Sequence, residues 1–158
     1  MASIIKDLPY IPAEGAVAIV KTIQSSGTTG QSFGTKNQWN SMTLNTVEGD
    51  SSLLSVSSNQ ITLQPGSYMV IGKSPCTGTI VSGSRLYDTA NSSVILQGNT
   101  NICSGVSNQL SVDFQINGII EVNEATTMDY QVYNTGTMGI PVSFGVDEVF
   151  TILIFLKI

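Results

Sequence analysis

The chain has 158 residues, of which only 11% are charged, with eleven acidic against six basic groups and a net charge of −5. Lys6, Lys21, Lys36, Lys73, Arg85 and Lys157 stand singly, which gives no track for a phosphate backbone and argues against nucleic acid as a partner. No apolar run reaches the roughly 18 residues of a membrane span, so no membrane partner is expected, and one domain of this length buries a proper core.

Residues 1–15 read as an extended arm. Pro9 and Pro12 rule out a regular helix there, yet Ile4, Ile5, Leu8, Tyr10 and Ile11 are too apolar for a free tail. Two readings stand: a tether laid along a neighbouring protein, or packing against the chain's own domain. The segment lacks the long apolar stretch of a secretory signal, from which synthesis in the cytoplasm of the producing cell is expected.

Residues 16–158 read as one all-β domain. Its polarity comes from Ser, Thr, Asn, Gln and Gly, which suit turns and compete with helices for backbone hydrogen bonds. A strand over 16–23 is apolar on both sides, and 25–34 is a Ser/Gly/Thr loop. Strands follow over 38–44, which holds the only tryptophan, Trp39, and over 53–56 and 60–63. Pro65-Gly66 turns the chain into a central strand over 67–72. Further strands are expected at 85–88, 93–97 and 109–116. Asn117-Gly118 then predicts a hairpin turn before a strand over 119–122. Strands at 128–133 and 149–158 complete the set, an antiparallel jelly-roll sandwich by their number and spacing.

The last strand carries the strongest signal. One face holds Phe150, Ile152, Ile154, Leu156 and Ile158, and the other Val149, Thr151, Leu153 and Phe155. A strand with one wetted face alternates apolar with polar, and this one does not. In a jelly roll the terminal strands commonly lie side by side, so the two would form an apolar wall beyond the core. A second copy of the chain is the expected cover. Val17, Ile19, Phe150, Ile152, Ile154 and Leu156 are the candidate interface residues, and the chain itself the first expected partner.

Chemistry finds little footing. There is no histidine, which removes the common acid/base and triad arrangements. No serine sits in a nucleophile elbow, and Gly27-Thr28-Thr29-Gly30 lacks the lysine of a phosphate-binding loop. Glu48-Gly49-Asp50 and Asp147-Glu148 are the only tight acidic clusters, read as solvated turns rather than Ca²⁺ ligands. No enzyme activity, cofactor or metal is expected. Cys76 and Cys103 are either small half-buried residues in loops or a disulfide formed after release from the cell. Trp39, Tyr68, Tyr87, Tyr130 and Tyr133 are read as core aromatics, with a sugar-binding face as the alternative.

The run Leu44-Asn45-Thr46 followed by Ser55-Val56-Ser57-Ser58-Asn59-Gln60-Ile61-Thr62-Leu63-Gln64-Pro65-Gly66-Ser67-Tyr68 is similar to the tumour-necrosis-factor/C1q-like jelly roll of virion proteins, mainly of tailed phages. Arg85-Leu86-Tyr87-Asp88 resembles a later strand of that module. Ala13-Glu14-Gly15-Ala16-Val17-Ala18-Ile19-Val20 resembles its opening strand, and Phe144-Gly145-Val146-Asp147-Glu148-Val149-Phe150 the way into its last. The resemblance implies a homotrimer on a virion surface, either a capsid cement (decoration) protein or a fibre head. An arm of about fifteen residues in place of a long stalk favours the cement, with the major capsid protein or another virion protein as partner. The alternative is the receptor-binding head of a tail fibre or spike, with a host receptor as partner.

Overall fold

β-Branched and aromatic residues at alternate positions draw the chain into strands, each of which sorts its side chains to two faces. The computed structural model describes residues 15–28, 35, 37–77, 81–102, 111–135 and 145–158. Among them are eleven strands and no helix: β1 (Val17–Gln24), β2 (Gln38–Ser41), β3 (Thr46–Gly49), β4 (Leu54–Ser57), β5 (Gln60–Leu63), β6 (Gly66–Thr77), β7 (Val81–Asp88), β8 (Ser93–Ile102), β9 (Ser111–Val122), β10 (Thr126–Asn134) and β11 (Glu148–Lys157). One sheet has the order β3-β1-β11-β6-β9. The other runs β4-β5-β10-β7-β8, with β2 also paired to β10.

The first and last strands pair antiparallel in the middle of the first sheet, with Val17 opposite Leu156 and Ile19 opposite Ile154. Between the sheets lies one core. Ala18, Val20, Tyr68, Val70, Phe114, Ile116, Leu153 and Phe155 come from the first sheet. Ile61, Leu63, Leu86, Met128, Tyr130 and Val132 come from the second. Thr22 and Thr151 are also buried, and Thr151 Oγ1 shares a 2.7 Å hydrogen bond with Ser74 Oγ, so one end of the interior is polar but paired. Ser58 (φ 51°) and Asn59 (φ 67°) form the two-residue turn of the β4–β5 hairpin, the paired positive φ of a primed turn.

The expected hairpin at Asn117-Gly118 is not formed. β9 passes straight through both residues, with Asn117 opposite Ile71 and Gly118 opposite Val70 on β6. Glycine is there for close packing: a Cβ on Gly118 would stand 2.6 Å from Leu96 Cδ1 of β8. Tertiary pairing also lengthens β6, β7 and β8 beyond the segments their composition marks, because a strand with a partner continues through Ser, Gly and Asn. The strand expected over 38–44 stops at Ser41. Met42 N bonds to Tyr130 O at 2.9 Å while Met42 and Leu44 turn inward to the core. β3 was not expected; it holds the edge beside β1, where Lys21 Nζ reaches Glu48 Oε2 at 2.6 Å.

Candidate self-association surface

β11 buries Thr151, Leu153 and Phe155 and turns Phe150, Ile152, Ile154 and Leu156 away from the core. β1 divides likewise, with Ala18, Val20 and Thr22 inward and Val17 and Ile19 outward. All six candidate interface residues thus share the outer face of the first sheet, and all six remain half-buried rather than covered. The register extends the surface across β6 and β9. Leu156 stands opposite Met69 and Ile154 opposite Ile71, and Met69 in turn is opposite Ile119. Met69, Ile71 and Ile119 are 37%, 46% and 65% exposed.

Those three residues were not among the sequence candidates. Period-two alternation in β6 was the available signal for Met69 and Ile71. Ile119 was hidden because the expected turn placed it on a different strand. Polar groups rim the apolar rows: Ile152 lies between Lys21 and Lys73, and Ile19 is beside Glu48. A continuous apolar patch with a charged rim is the pattern of a protein–protein contact. At about 25 cal/mol per Å², each ~100 Å² of it removed from water contributes roughly 2.5 kcal/mol.

The other candidates fare differently. Ile4, Ile5, Leu8, Tyr10 and Ile11 lie outside the described residues, as does Cys103; of Cys76 only the backbone is described, opposite Val112 in the β6–β9 ladder. Asp50 caps its own turn, accepting from Ser52 N at 2.9 Å and Ser52 Oγ at 2.6 Å, and these bonds hold its carboxyl below the usual range. Glu48 is paired with Lys21, and Glu148 Oε1 accepts from Gly27 N at 3.2 Å. Among the described residues no three metal-ligating side chains gather. The five aromatics separate: Tyr68 and Tyr130 are fully buried in the core, while Trp39, Tyr87 and Tyr133 lie half-exposed on the outer face of the second sheet.

Tyr130 makes a pH prediction. Its Oη is buried with no hydrogen-bond partner among the described residues. Burial pushes its hydroxyl up to about 12 from an ordinary 10.0, with the nearby Ser74 and Ser84 hydroxyls pulling the other way without reaching bonding geometry. The folded pKa exceeds the unfolded one. The associated stability is therefore whole below pH 10 and is lost as pH rises through about 12, a loss of roughly 2–3 kcal/mol. Alkaline unfolding of Tyr130→Phe should show a shallower decline between those two pH values than the parent chain.

No protein-family profile matches the chain, and no curated protein matches it. Solved structures do. The architecture is that of the TNF/C1q-like jelly roll: all-β, two antiparallel sheets, with β1 and β11 paired in one of them. The chain is similar to the crystal structure of murine APRIL at pH 5.0, with 10% identity, a TM-score of 0.61, and 92% of this chain and 100% of that one covered. It is also similar to the globular domain of zebrafish complement 1qA protein, with 11% identity, a TM-score of 0.56 and coverage of 92% and 98%. At such identities the likeness concerns the fold.

Proposed function

We propose that the chain is a non-enzymatic, homotrimeric protein of a virion surface, a capsid cement that stabilises the shell. The observation that carries self-association is the uncovered apolar wall of Val17, Ile19, Met69, Ile71, Ile152, Ile154 and Leu156 on the first sheet. The resemblance of residues 55–68, 85–88 and 144–150 to virion jelly rolls supports the particle surface. A charge content of 11% suits a protein whose surface is largely spent in contacts. In this reading each trimer bridges neighbouring capsomers, and its three 1–15 arms add weak contacts that act together at high effective concentration.

Light scattering tests the assembly: a mass near three chains of 16.7 kDa is expected, and a single-chain mass overturns it. Electron microscopy of antibody-labelled particles tests the location. Label over the icosahedral shell is expected, and unlabelled particles overturn the virion reading. Label at the tail alone establishes the second reading, a receptor-binding head, which the half-exposed Trp39, Tyr87 and Tyr133 on the opposite face of the sandwich favour.

A further inference from the structure

On the outer face of the second sheet, β2 lays Trp39 opposite Tyr133 of β10, their rings 5.7 Å apart edge to face. The two rings wall a shallow cleft of about 110 Å³ whose remaining lining includes Val81, Gly83, Gln97 and Thr100. Gly83 keeps it open, since a Cβ there would enter the space 3.5 Å from Trp39 Cη2 and 4.0 Å from Thr100 Oγ1. Arg85, the cross-strand partner of Gln97, stands beside this cleft. Its guanidinium is clamped between two rings, 4.2 Å from the centroids of both Trp39 and Tyr87.

Arg85 Nε donates to Gln131 Oε1 at 2.9 Å. No other acceptor meets the guanidinium among the described residues, and no carboxylate there forms an ion pair with it. Asp129 is occupied elsewhere: its oxygens accept from Ser41 at 2.6 Å, Gln60 at 3.1 Å and Gln131 at 3.4 Å. In a chain of net charge −5, a rigidly held arginine whose Nη donors meet no acceptor among the described residues has the chemistry to take an anion. The stacked rings remove the rotamer freedom that an exposed arginine would lose on binding.

We infer that the Trp39–Tyr133–Gly83 cleft with Arg85 binds an acidic saccharide. The carboxylate takes the Arg85 fork, and the C–H face of the sugar ring lies against the Trp39–Tyr133 walls. Thr100 and Gln97 meet its hydroxyls. A carboxylate on a flexible peptide side chain would satisfy the fork but leave the rings uncovered; a sugar acid satisfies both. The site lies on the face opposite the apolar wall, so it stands whether or not the chains trimerise and whichever particle surface carries them.

Trp39 is the only tryptophan, so its emission reports on the cleft alone. The full chain is titrated with the methyl glycosides of N-acetylneuraminic acid and of glucuronic acid, with neutral methyl glucoside, and with a glutamate-rich hexapeptide. A saturable change is expected with at least one acidic glycoside. Arg85→Gln and Arg85→Lys should weaken it by about ten- to a hundredfold, the former losing charge and fork and the latter only the fork. Gly83→Ala should weaken it too, by filling the cleft, and its ordinary contacts keep the fold intact. The proposal is overturned by no saturable response to either acidic glycoside at millimolar concentration. An equal response to methyl glucoside, tighter binding of the peptide, or unchanged binding in folded Gly83→Ala and Arg85→Gln also overturns it.

Discussion

Ile154→Asp is expected to convert the proposed trimer into folded single subunits. Ile154 is central to the wall, with Ile19 opposite it on β1 and Ile71 opposite it on β6. Its side chain points away from the core, so Leu153 and Phe155 beside it keep their packing. Within an assembly built on this face, each copy would bring one unpaired carboxylate out of water. A buried charge without a partner costs several kcal/mol, and even ~4 kcal/mol weakens association by about a thousandfold. Sedimentation should therefore give one-chain particles whose β-sheet circular dichroism matches the parent. Val94→Asp is the control: that residue is 47% exposed, on the other sheet, and its replacement should leave the mass unchanged. A trimer that survives Ile154→Asp would place the contact elsewhere on the molecule.

The sequence disclosed the wall through β11 because a strand apolar on both faces violates the pattern of a half-wetted sheet. Pairing of β1 with β11 followed from a jelly-roll topology, and the register bears it out residue by residue. The extent of the surface was less legible. Met69, Ile71 and Ile119 join it only through the order β11-β6-β9, and strand order is a tertiary fact that no local pattern encodes. Asn117-Gly118 misled for a related reason. A dipeptide suited to positive φ is also suited to a close approach of strands, and Leu96, twenty-two positions away, decides which applies. The cleft was partly legible: the aromatics were marked, but sorting Tyr68 and Tyr130 inward from Trp39, Tyr87 and Tyr133 outward needed the alternation of β2, β6, β7 and β10 to be phased against the core. Arg85, resembling part of a strand motif, carried no local sign that among the described residues only its Nε would find an acceptor.

Gly98→Ala is expected to be among the most damaging single methyl additions in this chain. Ser84 Oγ of β7 donates to Gln115 O of β9 at 2.9 Å, a hydrogen bond from one sheet to the other. Asn99 Nδ2 to Gln115 Oε1 at 3.3 Å and Asn101 Nδ2 to Asp113 O at 2.9 Å join β8 to β9 along the same side, where both are the last strands of their sheets. Gly98 sits against this closure: a Cβ there would land on Ser84 Oγ and on the Gln115 carbonyl oxygen, with Ser84 O 3.1 Å away. That carbonyl belongs to a strand paired along its length with β6, so it cannot swing aside. Overpacking together with loss of the Ser84 bond should cost about 2–5 kcal/mol. Gly118→Ala, meeting only the end of the Leu96 side chain, should cost less, and Leu96→Ala should relieve part of that cost; a turn glycine would gain nothing from the second change. No such full rescue is available to Gly98→Ala, because trimming Ser84 would still leave the Gln115 and Ser84 backbone oxygens in the way. Denaturant midpoints measured in the Ile154→Asp background read these differences without the concentration dependence of an assembly. Equal losses at both glycines, or no rescue at 118, would mean that the β8–β9 closure does not set the packing here.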